Sequence, residues 1–190
     1  MSKKLNLKKM KNYYFSLLIV CLFSFVGCKN ENTDATTPAT EVEETVKQFK
    51  VTVNFIAAKK DDFCLLYTED NTVNFGENGV WKSIEGSENE QQVEFQLPAD
   101  VFPTHLRLDL GIKPDQSDVT LKSVILEYNG NKKEIVGQEL GMYFRADENT
   151  CTFDPSTGVV KSNIENGVRQ NPSLYPQEPT LKQEIEKLAK

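Results

Sequence analysis

The sequence has one histidine, one tryptophan and four cysteines. It has no Gly-x-Ser-x-Gly elbow and no glycine-rich phosphate loop. Each scarcity excludes something. A Ser-His-Asp triad would have to use His105, which lies beside Arg107 on an alternating stretch and reads as a solvated strand residue. Zinc sites draw on several His or Cys ligands, and this chain cannot easily supply them. Without a phosphate-cradling loop, nucleotide binding has no support. Basic residues cluster only in residues 1–12, and the net charge is −6. Nucleic-acid binding, which depends on Lys and Arg neutralising phosphates, is therefore not expected. The 28 acidic residues are so plentiful that no carboxylate pair stands out as a hydrolytic centre. No catalytic residue, metal or cofactor is assigned.

What is present begins with Lys3, Lys4, Lys8, Lys9 and Lys11, with no acid among them. An apolar run follows from Tyr13 to Val26. It is shorter than the roughly 18–20 residues a helix needs to cross a bilayer. A basic flank followed by a short apolar run is the layout of a signal peptide. The run closes on Phe25-Val26-Gly27-Cys28. These residues resemble the lipobox of bacterial lipoproteins, although Phe25 stands where that family usually has Leu. Cys21 does not compete, because Val20 is too bulky for the position before the cut. The resemblance implies cleavage after Gly27, a diacylglyceryl thioether on Cys28 and acylation of the new N-terminus. The implied partner is a membrane held through lipid. Lys29 occupies the place where an inner-membrane retention signal in some bacteria has Asp. The expected location is the periplasmic face of the outer membrane, or the cell surface.

Residues 28–47 are rich in Thr, Glu and Asn and nearly free of large apolar groups, so they cannot bury enough surface to offset chain entropy. They read as a flexible tether. Two cysteines remain beyond it, Cys64 and Cys151. An exported compartment permits a bridge between them. Two buried thiols are the alternative, and the sequence leaves both open because geometry decides.

From Phe49 onward the apolar residues alternate. Phe49, Val51, Val53, Phe55 and Ala57 share one face. Phe63–Tyr67, Val80–Lys82 and Val93–Leu97 follow as short strands. Leu106, Leu108 and Leu110 point one way, and His105, Arg107 and Asp109 the other. Val119 and Leu121 share a parity that Val124, Leu126 and Tyr128 reverse, so a bulge is expected near Lys122-Ser123. Asn129-Gly130 predicts a tight hairpin into Lys133–Val136. Met142–Arg145, Thr150–Phe153 and Gly158–Lys161 complete about nine or ten strands, a spacing that suggests a sandwich or barrel. The expected class is all-β, an antiparallel jelly-roll-like sandwich over residues 48–170. Residues 171–190 are expected to form a Pro-rich segment and a short amphipathic helix carrying Leu181, Ile185 and Leu188.

Residues 93–111 (VEFQLPADVFPTHLRLDLG) and 119–130 (VTLKSVILEYNG) resemble the late strands of galactose-binding-like jelly rolls and related carbohydrate-binding modules. The resemblance implies a β-sandwich that takes a sugar, and it matches no defined ligand motif. Four residues suit such a ligand. Trp81 offers a ring platform if exposed, although a tryptophan is more readily a buried core anchor. Tyr143 is a weaker platform, as are Tyr67 and Tyr128. Arg107 and Asp109 share a strand face and would meet hydroxyls, or else form an ordinary polar surface. Asp147, Glu148, Asn149 and Asp154 carry oxygens for Ca²⁺ but lack EF-hand spacing, so solvated turns are the simpler reading. The functional expectation is a non-catalytic, lipid-anchored domain that binds glycan or envelope polymer. A protein-docking or structural lipoprotein is the alternative, and a carboxylate-pair hydrolase comes last.

Overall fold

The structure is a computed structural model and describes residues 47–190. The signal peptide (1–27), Cys28 and most of the 28–47 tether lie outside the described residues. What is described is an all-β antiparallel sandwich with a short C-terminal helix.

The first sheet is built around β1 (Lys50–Ala57), which buries every second residue as its alternation predicts. Its neighbours are β4 (Ser87–Gln96) and β6 (Val119–Tyr128). The start of β6 pairs with β10 (Val159–Ser162), which pairs in turn with β9 (Cys151–Asp154). The rest of β6 pairs with β7 (Asn131–Val136). The second sheet runs in the order β3 (Gly79–Ile84), β2 (Asp61–Thr68), β5 (His105–Leu110), β13 (Ser173–Pro176) and β8 (Phe144–Ala146). A two-stranded hairpin, β11 (Ile164–Glu165) with β12 (Val168–Arg169), stands apart.

Local chemistry sets several of these features. Asn54 lies opposite Ser123 while Phe55 lies opposite Leu121. Lys122 is therefore the extra residue of a bulge, and both halves of β6 turn their apolar side chains inward. Asn129 and Gly130 have φ of 50° and 82°. Positive φ at both central residues is the two-residue turn whose twist suits antiparallel strands. The inner faces meet in one core, with the Phe55 and Phe63 rings 4.9 Å apart across the sheets. α2 (Thr180–Leu188) lays Leu181, Ile185 and Leu188 against that core. Asn131 Nδ2 donates to Leu188 O at 3.0 Å and fixes the end of this helix to the β6–β7 turn.

Two segments differ from expectation. Met142 and Tyr143, expected to begin a strand, instead end the helical turn α1 (Leu140–Tyr143), which follows a 3₁₀ turn at Gly137–Glu139. Leu140 and Tyr143 are buried at i, i+3 spacing, so burial follows helical rather than strand period here. The strand starts only at Phe144. The Pro-rich segment supplies β13, an interior strand of the second sheet. Its prolines flank the pairing: Pro172 serves as an acceptor, its carbonyl taking Leu110 N–H at 2.9 Å, and Pro176 closes the strand. Among the described residues no helix is long and apolar enough to cross a membrane.

Candidate binding face

The outer face of the second sheet gathers most of the sequence candidates. Antiparallel register aligns Trp81 with Cys64, Cys64 with Asp109, and Asp109 with Ser173. Register partners point to the same side of a sheet, so these four share the outward face. Two residues along the strands, Leu66 lies opposite Arg107, and Tyr175 lies opposite Arg145.

Arg107 and Asp109 are two apart on β5 and make a bidentate pair. Nε donates to Asp109 Oδ1 at 2.8 Å and Nη2 to Oδ2 at 2.7 Å. Nη1 donates to the Tyr175 hydroxyl at 3.0 Å. The guanidinium also lies 5.2 Å from the Tyr175 ring centroid and 5.5 Å from that of Phe75. Burial works against its charge, and Asp109 and Tyr175 together more than offset burial, so its pKa is raised. The pair is a rigid, nearly neutral plate of donors and acceptors wedged between two aromatic rings.

Trp81 is 55% exposed, which corrects the preference for a buried core anchor. β3 is an edge strand, and the tryptophan stands on its outward side above Cys64. Tyr143 is corrected in the other direction. It is buried on α1, away from the face, with Lys133 Nζ 5.6 Å from its ring centroid. Burial raises its hydroxyl pKa. Tyr67 is buried as well, and Tyr128 packs against Phe49 and Phe102, so neither is a platform.

His105 is not solvated. It is 3% exposed, with Nε2 2.9 Å from Glu178 Oε1 and Nδ1 3.3 Å from the Thr104 hydroxyl. Glu178, which follows β13, folds back over the outward side of β5. Phe75 likewise tucks in from the loop after β2 and covers Leu66 and Cys64. The outer face is thus half roofed, with Trp81 at one open end. At the other end Arg145, Asp147, Asn149, Phe153 and Gln177 line a cleft of about 770 Å³ beside the edge strands β8 and β9.

The disulfide alternative is corrected. Cys64 and Cys151 are both free and buried. Cys64 belongs to the small outer cluster with Leu66 and Phe75, whereas Cys151 lies in the main core with its thiol 3.4 Å from Ser173 O. The two thiols occupy different layers. Burial pushes the Cys64 thiol up to about 11 and raises that of Cys151. Since the thiolate is the reactive form, a Cys28→Ser chain beginning at residue 28 is expected to show no fast reaction with a disulfide reagent at neutral pH. In denaturant it should show two reactive thiols. Prompt native reactivity at either cysteine would contradict the placement.

The acidic loop residues act as turn acceptors. Asp147 Oδ1 takes the N–H and side-chain amide of Asn149 at 3.1 and 3.0 Å. Asp154 accepts from Ser156 and Thr157, which lowers its carboxyl pKa. Among the described residues no group of three or more His, Cys, Asp or Glu converges as a metal site would require.

Sequence reasoning missed Phe75, Tyr175 and Arg145 as parts of this face. The signal for Tyr175 was the Ser173/Tyr175 alternation, obscured by prolines on both sides. No protein-family model and no curated protein matches the chain.

Proposed function

We propose that this chain is a lipid-anchored cell-envelope lipoprotein whose β-sandwich binds a carbohydrate or envelope polymer without transforming it. The anchor rests on the lysine-rich start, the short apolar run and the Phe25–Cys28 lipobox. Binding rests on one observation above all. The only tryptophan is 55% exposed on the same sheet face as a bidentate Arg107–Asp109 pair. Leaving such a ring in water forgoes a large burial gain, and a sugar's apolar face would restore part of it. Beside it, the carboxylate's remaining lone pairs and the guanidinium edge suit hydroxyl groups, which both donate and accept.

A glycan array probed with the Cys28→Ser chain from residue 28 onward tests this directly. Binding to at least one glycan is expected, and Trp81→Ala is expected to weaken it by at least tenfold, about 1.4 kcal/mol. No binding across diverse glycans would count decisively against the proposal. For the anchor, cells expressing the full chain should incorporate a palmitate analogue, and Cys28→Ser should abolish the label. Label that persists in the variant would refute lipid attachment at Cys28.

A further inference from the structure

We infer that the ligand is an acidic oligosaccharide chain, whose carboxylate is received by Arg145 while another of its sugar rings rests on Trp81. The inference builds on the proposed carbohydrate-binding reading and names its ligand class.

The chain has three arginines, and the structure uses them differently. Arg107 is satisfied by Asp109 and Tyr175. Arg169 is buried and donates to Lys113 O at 3.3 Å. Arg145 is exposed, and among the described residues it has no carboxylate within ion-pair distance. Its guanidinium is nonetheless held in place, 5.4 Å from the Tyr175 ring centroid, on the side chain that also contacts Arg107. A guanidinium stacked on an aromatic loses less freedom when it forms two parallel hydrogen bonds, and a carboxylate is the group that fits its fork.

Position sets the size of the ligand. Trp81 lies on β3 and Arg145 on β8, at opposite ends of the five-strand order. With neighbouring strands about 4.8 Å apart, four steps separate the two by about 19 Å. One sugar ring cannot touch both, so the ligand is a chain lying across the strands. From Trp81 its path crosses Phe75, which covers Cys64 and Leu66, and then passes Asp109 and the Tyr175 ring.

Cleavage after Gly27 would remove five lysines and no acid, taking the net charge from −6 to −11, and this argues against an anionic ligand only at long range. At physiological ionic strength charges more than about 8 Å apart are largely screened. The near acids are mostly occupied: Asp109 pairs with Arg107, and Asp147 accepts from Asn149. Glu148 is the exposed acid of the cleft, and it lies on the loop rather than on the strand face.

The test is titration calorimetry on the full chain in detergent. The ligands are tetramers of galacturonate, glucuronate and mannuronate, each set against its methyl ester, with neutral glucan and mannan tetramers as controls. Methylation removes the charge and leaves the sugar backbone. At least one uronate is expected to bind tenfold or more tighter than its ester. Arg145→Gln should narrow that gap to threefold or less, and Arg145→Lys should keep more of it. Equal binding of acid and ester, binding of neutral chains only, or an undiminished acid preference in Arg145→Gln would overturn the inference while leaving carbohydrate binding intact. Binding to none of these saccharides would overturn it too; if the glycan array were also blank, the broader reading would fall with it.

Discussion

Asp61→Ala is expected to destabilise the domain by about 3–5 kcal/mol, the usual cost of deleting one member of a buried charged cluster. Asp61 opens β2 and is fully buried. Its Oδ1 accepts three backbone N–H groups, from Asp62 at 2.8 Å, Ile112 at 2.9 Å and Lys113 at 3.1 Å. The carboxylate therefore stitches β2 to the turn that follows β5. Gly111 permits this approach: its φ is +111°, and a Cβ there would lie 2.3 Å from Asp61 Oδ2. Burial depresses the pKa of Arg169 nearby, and the charge of Asp61, with smaller help from Asp118 and Asp115, opposes that depression. Alanine would orphan the turn amides and remove the largest of these counter-charges. Asp61→Asn keeps an acceptor oxygen and loses the charge, so an intermediate cost is expected. Urea unfolding gives the answer through a lowered midpoint at unchanged slope. A loss below about 1 kcal/mol for the alanine variant, the scale of an ordinary single hydrogen bond, would mean that the cluster is not the clamp described.

Phe55→Ala is expected to cost about 3–5 kcal/mol for a different reason. Phe55 is fully buried on the inner side of β1, and its ring meets that of Phe63 from the other sheet. Truncation forfeits the transfer free energy of the ring and leaves a cavity that two hydrogen-bonded sheets cannot close by collapsing. Phe55→Leu refills most of that volume, and a loss of under about 2 kcal/mol is expected. Met142→Ala serves as control. Met142 is 59% exposed, and a change within about 0.5 kcal/mol is expected. Equal midpoints for Phe55→Ala and Met142→Ala in urea would show that the two sheets do not close on Phe55.

The features legible in the sequence are those set by neighbours along the chain. Alternation fixed the inward face of β1, the parity switch located the bulge at Lys122, Asn129-Gly130 set a hairpin, and Leu181, Ile185 and Leu188 marked α2. What escaped depends on residues distant in the chain. Whether Trp81 is covered depends on β3 being an edge strand, and strand order carries no local signal. His105 alternates like a surface residue and is nonetheless buried, with Glu178 from beyond β13 2.9 Å from its Nε2. β13 was hidden because Pro172 and Pro176 argue against a strand, although both fall where no ladder N–H is needed. The candidate face was half legible for the same reason. Arg107 and Asp109 share a strand, but their union with Trp81, Tyr175 and Arg145 needs the five-strand order.

The placement of β13 also bears on the timing of folding. β8 has no partner in its sheet except β13, and β13 sits between β8 and β5. Until residue 176 has been synthesised, β5 lacks its second neighbour and β8 lacks any. Such long-range closure is slow, because the entropy of bringing distant segments together is spent before their contacts form. The second sheet of a growing chain therefore remains incomplete until its last strand is available.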